Sequence, residues 1–367
     1  MNQFRKFKMT EFSTALAKGK NAGTPSVRGK PQVHNIQYLR AIAAMGVVVF
    51  HAGSVLRAGN ISFEPLAFGA SGVDLFFIIS GFVMVYTTHD QMTAREFAAK
   101  RMIRVVPVYY LITLLVFAIS IAAPSLLQAT TSDPVQLIKS LLFIPFEKSN
   151  GLVQPIVFVG WTLNYEMAFY ALFAASLLLP AHRTAFVLAV LAAAVCLHPF
   201  SNGTLAAFYT SPILLEFAAG MILALIWRGR RNRRTGVLLV CAGIGAVILL
   251  AQIPGLHRSL LYGLPYLALT AGVLLLEGSI RHNRILALLG DASYSIYLTH
   301  FFVTQLFAKI IKGLDAGPGV ALIAFAASII AAAAAGVLFH KIVEAPVTRS
   351  LSGTRSKKDK ARRSAAV

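Results

Sequence analysis

The sequence predicts an all-α fold, a polytopic integral membrane bundle of about ten transmembrane helices. Three observations carry this expectation. Apolar runs of about 17 to 25 residues, the length needed to cross a bilayer, recur along the whole chain. Of the 367 residues 57% are hydrophobic and only 13% are charged, against about 25% charged in a soluble domain. The lysines and arginines fall into the two tails and alternate loops, as the positive-inside rule expects.

The expected spans run near 36–56, 69–88, 103–123, 161–179, 184–198, 206–227, 235–253, 259–277, 286–311 and 318–343. Ten is an even number, so both tails share a side. With both tails in the cytoplasm, all but six of the 34 basic residues lie inside or at that face. The six are Arg57, Lys139, Lys148, Arg258, Lys309 and Lys312. About 35 polar, basic residues precede the first apolar run, which a secretory signal does not show. The net charge of +20 does not indicate nucleic acid. Its densest run, Arg228 to Arg234, sits between two spans without interleaved aromatics and suits topology and anionic membrane lipids. Trp161 and Trp227 suit interfacial belts. Cys196 and Cys241 both fall within spans, where packing in the core is the expected role.

Polar residues within the spans are the candidates for function, because ionisable groups are costly there. The first span carries Arg40 and His51. Eleven steps on a helix return to within roughly 20° of the starting face, so both lie on one stripe, about 16 Å apart in rise. The second reads Gly72-Val73-Asp74-Leu75-Phe76-Phe77 through Ser80-Gly81-Phe82. Its glycines suit close helix packing, and Asp74 lies near its outer end. The third opens with Arg101 and Arg104, i and i+3 on one face, followed by Pro107, expected to kink it. Such an arginine pair either grips phosphates or anchors the helix at the inner face.

The connection 124–160 is long and rich in Pro, Ser and Thr. Loops of that length are usually functional, so a lid or a re-entrant segment is expected. The fourth span then opens Trp161-Thr162-Leu163-Asn164-Tyr165-Glu166. Glu166 lies about a turn and a half inside, with Tyr170 at i+4 in hydrogen-bonding reach. The ninth places Ser293, Tyr297 and His300 on one face, either lining a polar cavity or packing in the core. No metal-binding, phosphate-loop or nucleophile-elbow motif occurs. The absence of an internal repeat weakens a transporter reading, although Asp74, Glu166 and His300 are the residues a proton relay in a glycan transporter would use.

At these residues the chain resembles the membrane acyltransferase 3 family, over about residues 34–346. The resemblance rests on Leu39-Arg40-Ala41 through His51, the Gly72 to Phe82 block, Arg101-x-x-Arg104-x-x-Pro107, Trp161-Thr162-Leu163 through Glu166 and Tyr170, Ser293 through His300, and Glu344-Ala345-Pro346. It implies a multi-pass enzyme of the bacterial inner membrane with both termini cytoplasmic. Such an enzyme would be an O-acyltransferase moving an acetyl or other acyl group from cytoplasmic acyl-CoA to a sugar hydroxyl. The acceptor would be a glycan or a lipid-linked sugar, such as an exopolysaccharide, lipopolysaccharide or lipo-chitooligosaccharide. Acetyl-CoA is the implied donor, and no metal is implied. The domain layout is then a basic tail over 1–33, the acyltransferase domain over 34–346 and a second basic tail over 347–367. The family's essential histidine falls on His51 and its paired arginine on Arg40, with Glu166 and Asp74 as further members of the catalytic group. Arg101 and Arg104 are expected to bind the CoA phosphates. Trp161, Tyr170, Tyr297 and His300 are expected to contact the acceptor. Relatives often carry an acidic residue just before the first-span arginine. Here Asn35 and Gln37 stand instead, which leaves the partner of Arg40 open.

Overall fold

The computed structural model describes residues 33–353, apart from 128, 129, 180 and 254. The basic tails therefore lie almost wholly outside the described residues. Thirteen α-helices are described: α1 His34–Ala58, α2 Gly72–Thr87, α3 Ala94–Ala122, α4 Pro134–Leu141, α5 Trp161–Ser176, α6 Arg183–Leu197, α7 Thr204–Tyr209, α8 Leu214–Trp227, α9 Arg233–Leu250, α10 Leu264–Leu275, α11 Arg284–Asp291, α12 Ser293–Gly313 and α13 Pro318–Phe339. Among these residues no strand forms beyond an isolated bridge between Glu147 and Val153.

Among the described residues, seven helical stretches are long and apolar enough to cross a membrane. Three expected spans fall short of that measure. Helix α5 stops after 16 residues. Helix α10 is 12 residues long, entered through a π-helical turn at Ser259–Gly263. The run expected over 286–311 bends at Ala292 into α11 and α12, and α12 ends among Lys309 and Lys312. The span expected over 206–227 is likewise divided, with Pro212 in the break between α7 and α8. Proline cannot continue the hydrogen-bond ladder of the preceding turn.

Apolar burial does not drive helices together in lipid, so close approach and polar pairs must. Helices α2 and α8 meet through Gly81 and Gly220. A Cβ on either would collide with the backbone carbonyl of Phe217 or Ile78 on the other helix. Gly72 packs in the same manner against the carbonyl of Ala43 on α1. Behind these contacts lies an aromatic core that includes Phe77, Phe97, Phe169, Phe173 and Phe217. The outer helices present leucine and isoleucine outward, such as Leu238, Leu249, Ile323 and Ile330. Cys196 and Cys241 belong to this outer surface and are exposed. Their expected core role is not met, because α6 and α9 bury only narrow faces.

Long-range polar contacts fix α1. Glu277 accepts the N–H groups of His34 and Asn35, both at 3.0 Å. It thereby caps a helix whose own N-cap, Val33, offers no side-chain acceptor. Helix α12 runs alongside α1 in the same direction: Arg40 meets Ser293 and His51 meets His300. This parallel pair, closed by α13 through Ala332 and Ile296, is the frame of the candidate site.

Candidate functional site

Two groups of polar residues lie along α1, separated by the eleven residues from Arg40 to His51. The first group is basic. The Arg40 guanidinium donates to Gln37 Oε1 at 3.0 Å and to Ser293 Oγ at 2.9 Å. Neutral oxygens thus answer the question that the missing upstream acid raised. Arg40 also feels the charges of Arg104, Glu344, Glu166 and Asp291. Arg101 donates to Thr87 Oγ1 at 3.2 Å, and its guanidinium lies over the rings of Phe97 (5.4 Å) and Tyr170 (5.7 Å). Its Nε is buried with no hydrogen-bond partner. Arg104 makes no hydrogen bond or ion pair among the described residues. Glu166 accepts from Tyr170 in a short hydrogen bond and from Ser80 Oγ at 3.4 Å. The sequence-predicted Arg40, Arg101, Arg104, Glu166 and Tyr170 are therefore one cluster. These cations are met by the charges of Glu166, Glu344 and Asp291, and the Glu344 carboxylate is already engaged by Ser295 (2.5 Å) and His340 (2.9 Å). Unused guanidinium donors on Arg101 and Arg104 suit an anion of phosphate type.

The second group is the histidine pair. His51 Nδ1 lies 3.1 Å from the carbonyl of Val47 and 3.1 Å from His300 Nε2. His300 Nδ1 lies 3.1 Å from the carbonyl of Ile296. The His51 ring is half-buried and packed against the edge of Phe158 at 5.3 Å. His300 is fully buried, at 0% exposure. Phe158 belongs to the long connection and also packs edge-on to Phe301 at 5.3 Å. Helix α4 of that segment is tied to α3 by the hydroxyls of Tyr109 and Tyr110, which donate to the carbonyls of Ser140 (3.2 Å) and Leu141 (2.8 Å). Tyr297 donates to the Val159 carbonyl at 2.7 Å and is bonded to Thr162 at 2.8 Å. It pins the Phe158 turn over the histidines.

Asp74 does not reach the histidines. It is fully buried and bound by Arg258, with Nε to Oδ1 at 2.9 Å and Nη2 to Oδ2 at 2.5 Å. Its carboxylate also neighbours Glu216, another buried acid. Trp161 packs edge-on to Phe77 and Tyr165. The hydroxyls of Tyr170 and Tyr297 are spent on protein acceptors, and His300 is sealed behind His51. No direct hydrogen bond joins any two of Asp74, Glu166 and His300 among the described residues. Among the same residues no group of three or more His, Cys, Asp or Glu is placed to hold a metal ion. Sequence reasoning missed Gln37, Ser80, Phe158 and Arg258 as partners. Ser80 stood in the second-span motif and Arg258 was visible as an outer-loop charge. Phe158 carried no signal.

Comparison with known proteins identifies the family. A family model described as an acyltransferase domain matches residues 33–338. The exopolysaccharide production protein ExoZ of Rhizobium meliloti is 36% identical, covering 82% of this chain and 95% of its own length. Acyltransferase MdmB of Streptomyces mycarofaciens is 28% identical over 86% of the chain and 92% of its own. Peptidoglycan O-acetyltransferase OatA of Listeria monocytogenes is 23% identical over 87% of the chain but only 56% of its own length. No solved structure matches. A family match across the helices that carry both polar groups shows that the chain belongs to the acyltransferase 3 family, whose members are membrane O-acyltransferases.

Proposed function

We propose that this protein transfers an acetyl group from cytoplasmic acetyl-CoA to a sugar hydroxyl of an exopolysaccharide or related glycan, with His51 as general base. One observation carries the reading. His51 is a half-buried imidazole whose Nδ1 is engaged by protein and whose Nε2 is not, and its helix also carries Arg40, which clusters with Arg101 and Arg104 of α3, where the Arg101 Nε is unpartnered. Histidine suits this task because its ordinary pKa, near 6.5, allows it to accept a proton around neutral pH.

Arg101 and Arg104 would hold the donor's phosphates, with Arg40 next along the path. The thioester would then extend along α1 for the roughly 16 Å of rise that separates Arg40 from His51. As the acceptor oxygen attacks the thioester carbon, its proton passes to His51 Nε2. The C–O bond forms, the C–S bond breaks, and the imidazolium returns the proton to the departing CoA thiolate. The Phe158 turn would keep bulk water from the thioester, which favours alcoholysis over hydrolysis. Both termini lie in the cytoplasm of a bacterial inner membrane in this reading. That orientation puts Arg101 and Arg104 on the side where acyl-CoA is made. The ExoZ and OatA relatives, whose names specify exopolysaccharide production and peptidoglycan O-acetylation, support a glycan acceptor.

The test is membranes containing the protein, supplied with acetyl-labelled acetyl-CoA and extracted polysaccharide. Label enters the polysaccharide with the native protein and does not with His51→Ala. Equal labelling by the two proteins contradicts the assignment.

A further inference from the structure

We infer that His300 is a positioning residue for His51, a neutral imidazole that fixes the ring's tautomer and supports its charged form, and not a contact for the acceptor. The inference rests on the reading of His51 as general base.

A backbone carbonyl only accepts, so the 3.1 Å contact with the Ile296 carbonyl requires the proton of His300 to sit on Nδ1. In a neutral ring Nε2 then carries a lone pair. That lone pair lies 3.1 Å from His51 Nδ1, which must therefore be the donor. The Val47 carbonyl, also at 3.1 Å from the same nitrogen, makes the same demand. Both acceptors place the His51 proton on Nδ1 and leave Nε2 bare, the nitrogen that has no protein partner. The order is carbonyl, imidazole, imidazole, open lone pair: His300 is used once as donor and once as acceptor, while the single His51 Nδ1–H is shared between two acceptors and its Nε2 lone pair stays open.

Once His51 takes a proton, its Nδ1–H bond to His300 becomes charge-assisted and strengthens. The proton does not move on to His300. That ring is at 0% exposure, and a charge there would lack both solvent and an acidic partner, whereas His51 is half-buried. The imidazolium therefore stays where it can return its proton to the leaving thiolate. Carboxylates hold catalytic imidazoles in other enzymes by the same logic. A neutral ring does it here, which avoids placing an uncompensated anion within the bundle. Phe301 and Tyr297 flank His300 at ring distances of 6.4 and 6.2 Å, and the Phe158 turn covers the pair. His300 is closed to a sugar.

The test combines steady-state kinetics with nitrogen NMR on protein carrying 15N-labelled histidine, with His51→Gln used to assign the His51 signals. In the native protein the His51 ring should be the Nδ1–H tautomer. His300→Phe should shift it toward a tautomer mixture and lower kcat on the order of tenfold to a hundredfold, the scale on which hydrogen-bonded supports of an active imidazole act. KM for the acceptor should stay within about twofold. His300→Gln keeps an acceptor and should recover part of kcat. A native His51 found protonated at Nε2, or a His300→Phe variant with native kcat and raised acceptor KM, overturns the inference. Neither result depends on whether His51→Ala abolishes transfer, so failure of the base reading is detected separately.

Discussion

Removing Arg258 should destabilise the fold through a charge that the sequence does not pair. Asp74 is fully buried, while the Arg258 side chain is 40% exposed. In Arg258→Met three hydrogen bonds go: two to the Asp74 carboxylate and one, at 3.2 Å, to the Ala70 carbonyl. Hydrogen bonds to charged groups contribute about 1.5–3 kcal/mol each, and breaking a buried pair from one side costs about 3–5 kcal/mol. The exposed part of the arginine lowers this toward the surface value, which leaves a loss of about 2–4 kcal/mol. The stranded carboxylate carries most of it, with Glu216 beside it. Removing that charge as well, in Asp74→Asn/Arg258→Met, should restore more than half. Unfolding in mixed micelles, followed by the fluorescence of Trp161 and Trp227, measures all four corners of the cycle. A loss under about 0.5 kcal/mol for Arg258→Met, or single-variant losses that simply add, refutes the reasoning.

Gly81→Leu should prevent assembly of the α2–α8 contact, since its side chain meets the Phe217 backbone and not a movable side chain; size-exclusion chromatography in detergent should show aggregated protein, and a monodisperse peak would contradict the packing argument. Arg101→Gln and Arg104→Gln should each raise KM for acetyl-CoA about tenfold with little change in KM for the acceptor; a change confined to the acceptor would remove them from the donor site. In the long connection, Lys148 is buried at 4% exposure and donates to Thr130 Oγ1 and the Ile156 carbonyl with no ion pair among the described residues. Burial lowers its pKa to about 8. The folded segment favours the neutral amine, so its stability is fully present above the unfolded value near 10.4 and is lost as pH falls through about 8. Protection of this loop from proteolysis should therefore improve between about pH 8 and about pH 10.4 in the native protein, the span between those two values, and be flat in Lys148→Met; parallel profiles would contradict the assignment.

The parts legible in the sequence were those set by local spacing. The eleven-residue interval puts Arg40 and His51 on one stripe, the i+4 step gives the Glu166–Tyr170 bond, and the i+3 step pairs Arg101 with Arg104. Apolar runs reveal spans but not breaks within them, so Pro212 and the bend at Ala292 went unread. The rest depends on contacts between distant residues. His51 meets His300 across 249 positions and Asp74 meets Arg258 across 184, and no periodicity encodes either pairing. Glu277 stands at the end of an expected span in the sequence, and only the fold brings it to the start of α1.

The central claim is that the His51 imidazole is the base of an acyl transfer to carbohydrate. Proton NMR of polysaccharide from cells making the native protein or His51→Gln, at matched membrane levels, tests it most directly. Acyl-ester signals present with the native protein and lost with His51→Gln are the expected result. Equal ester content in the two samples would contradict it.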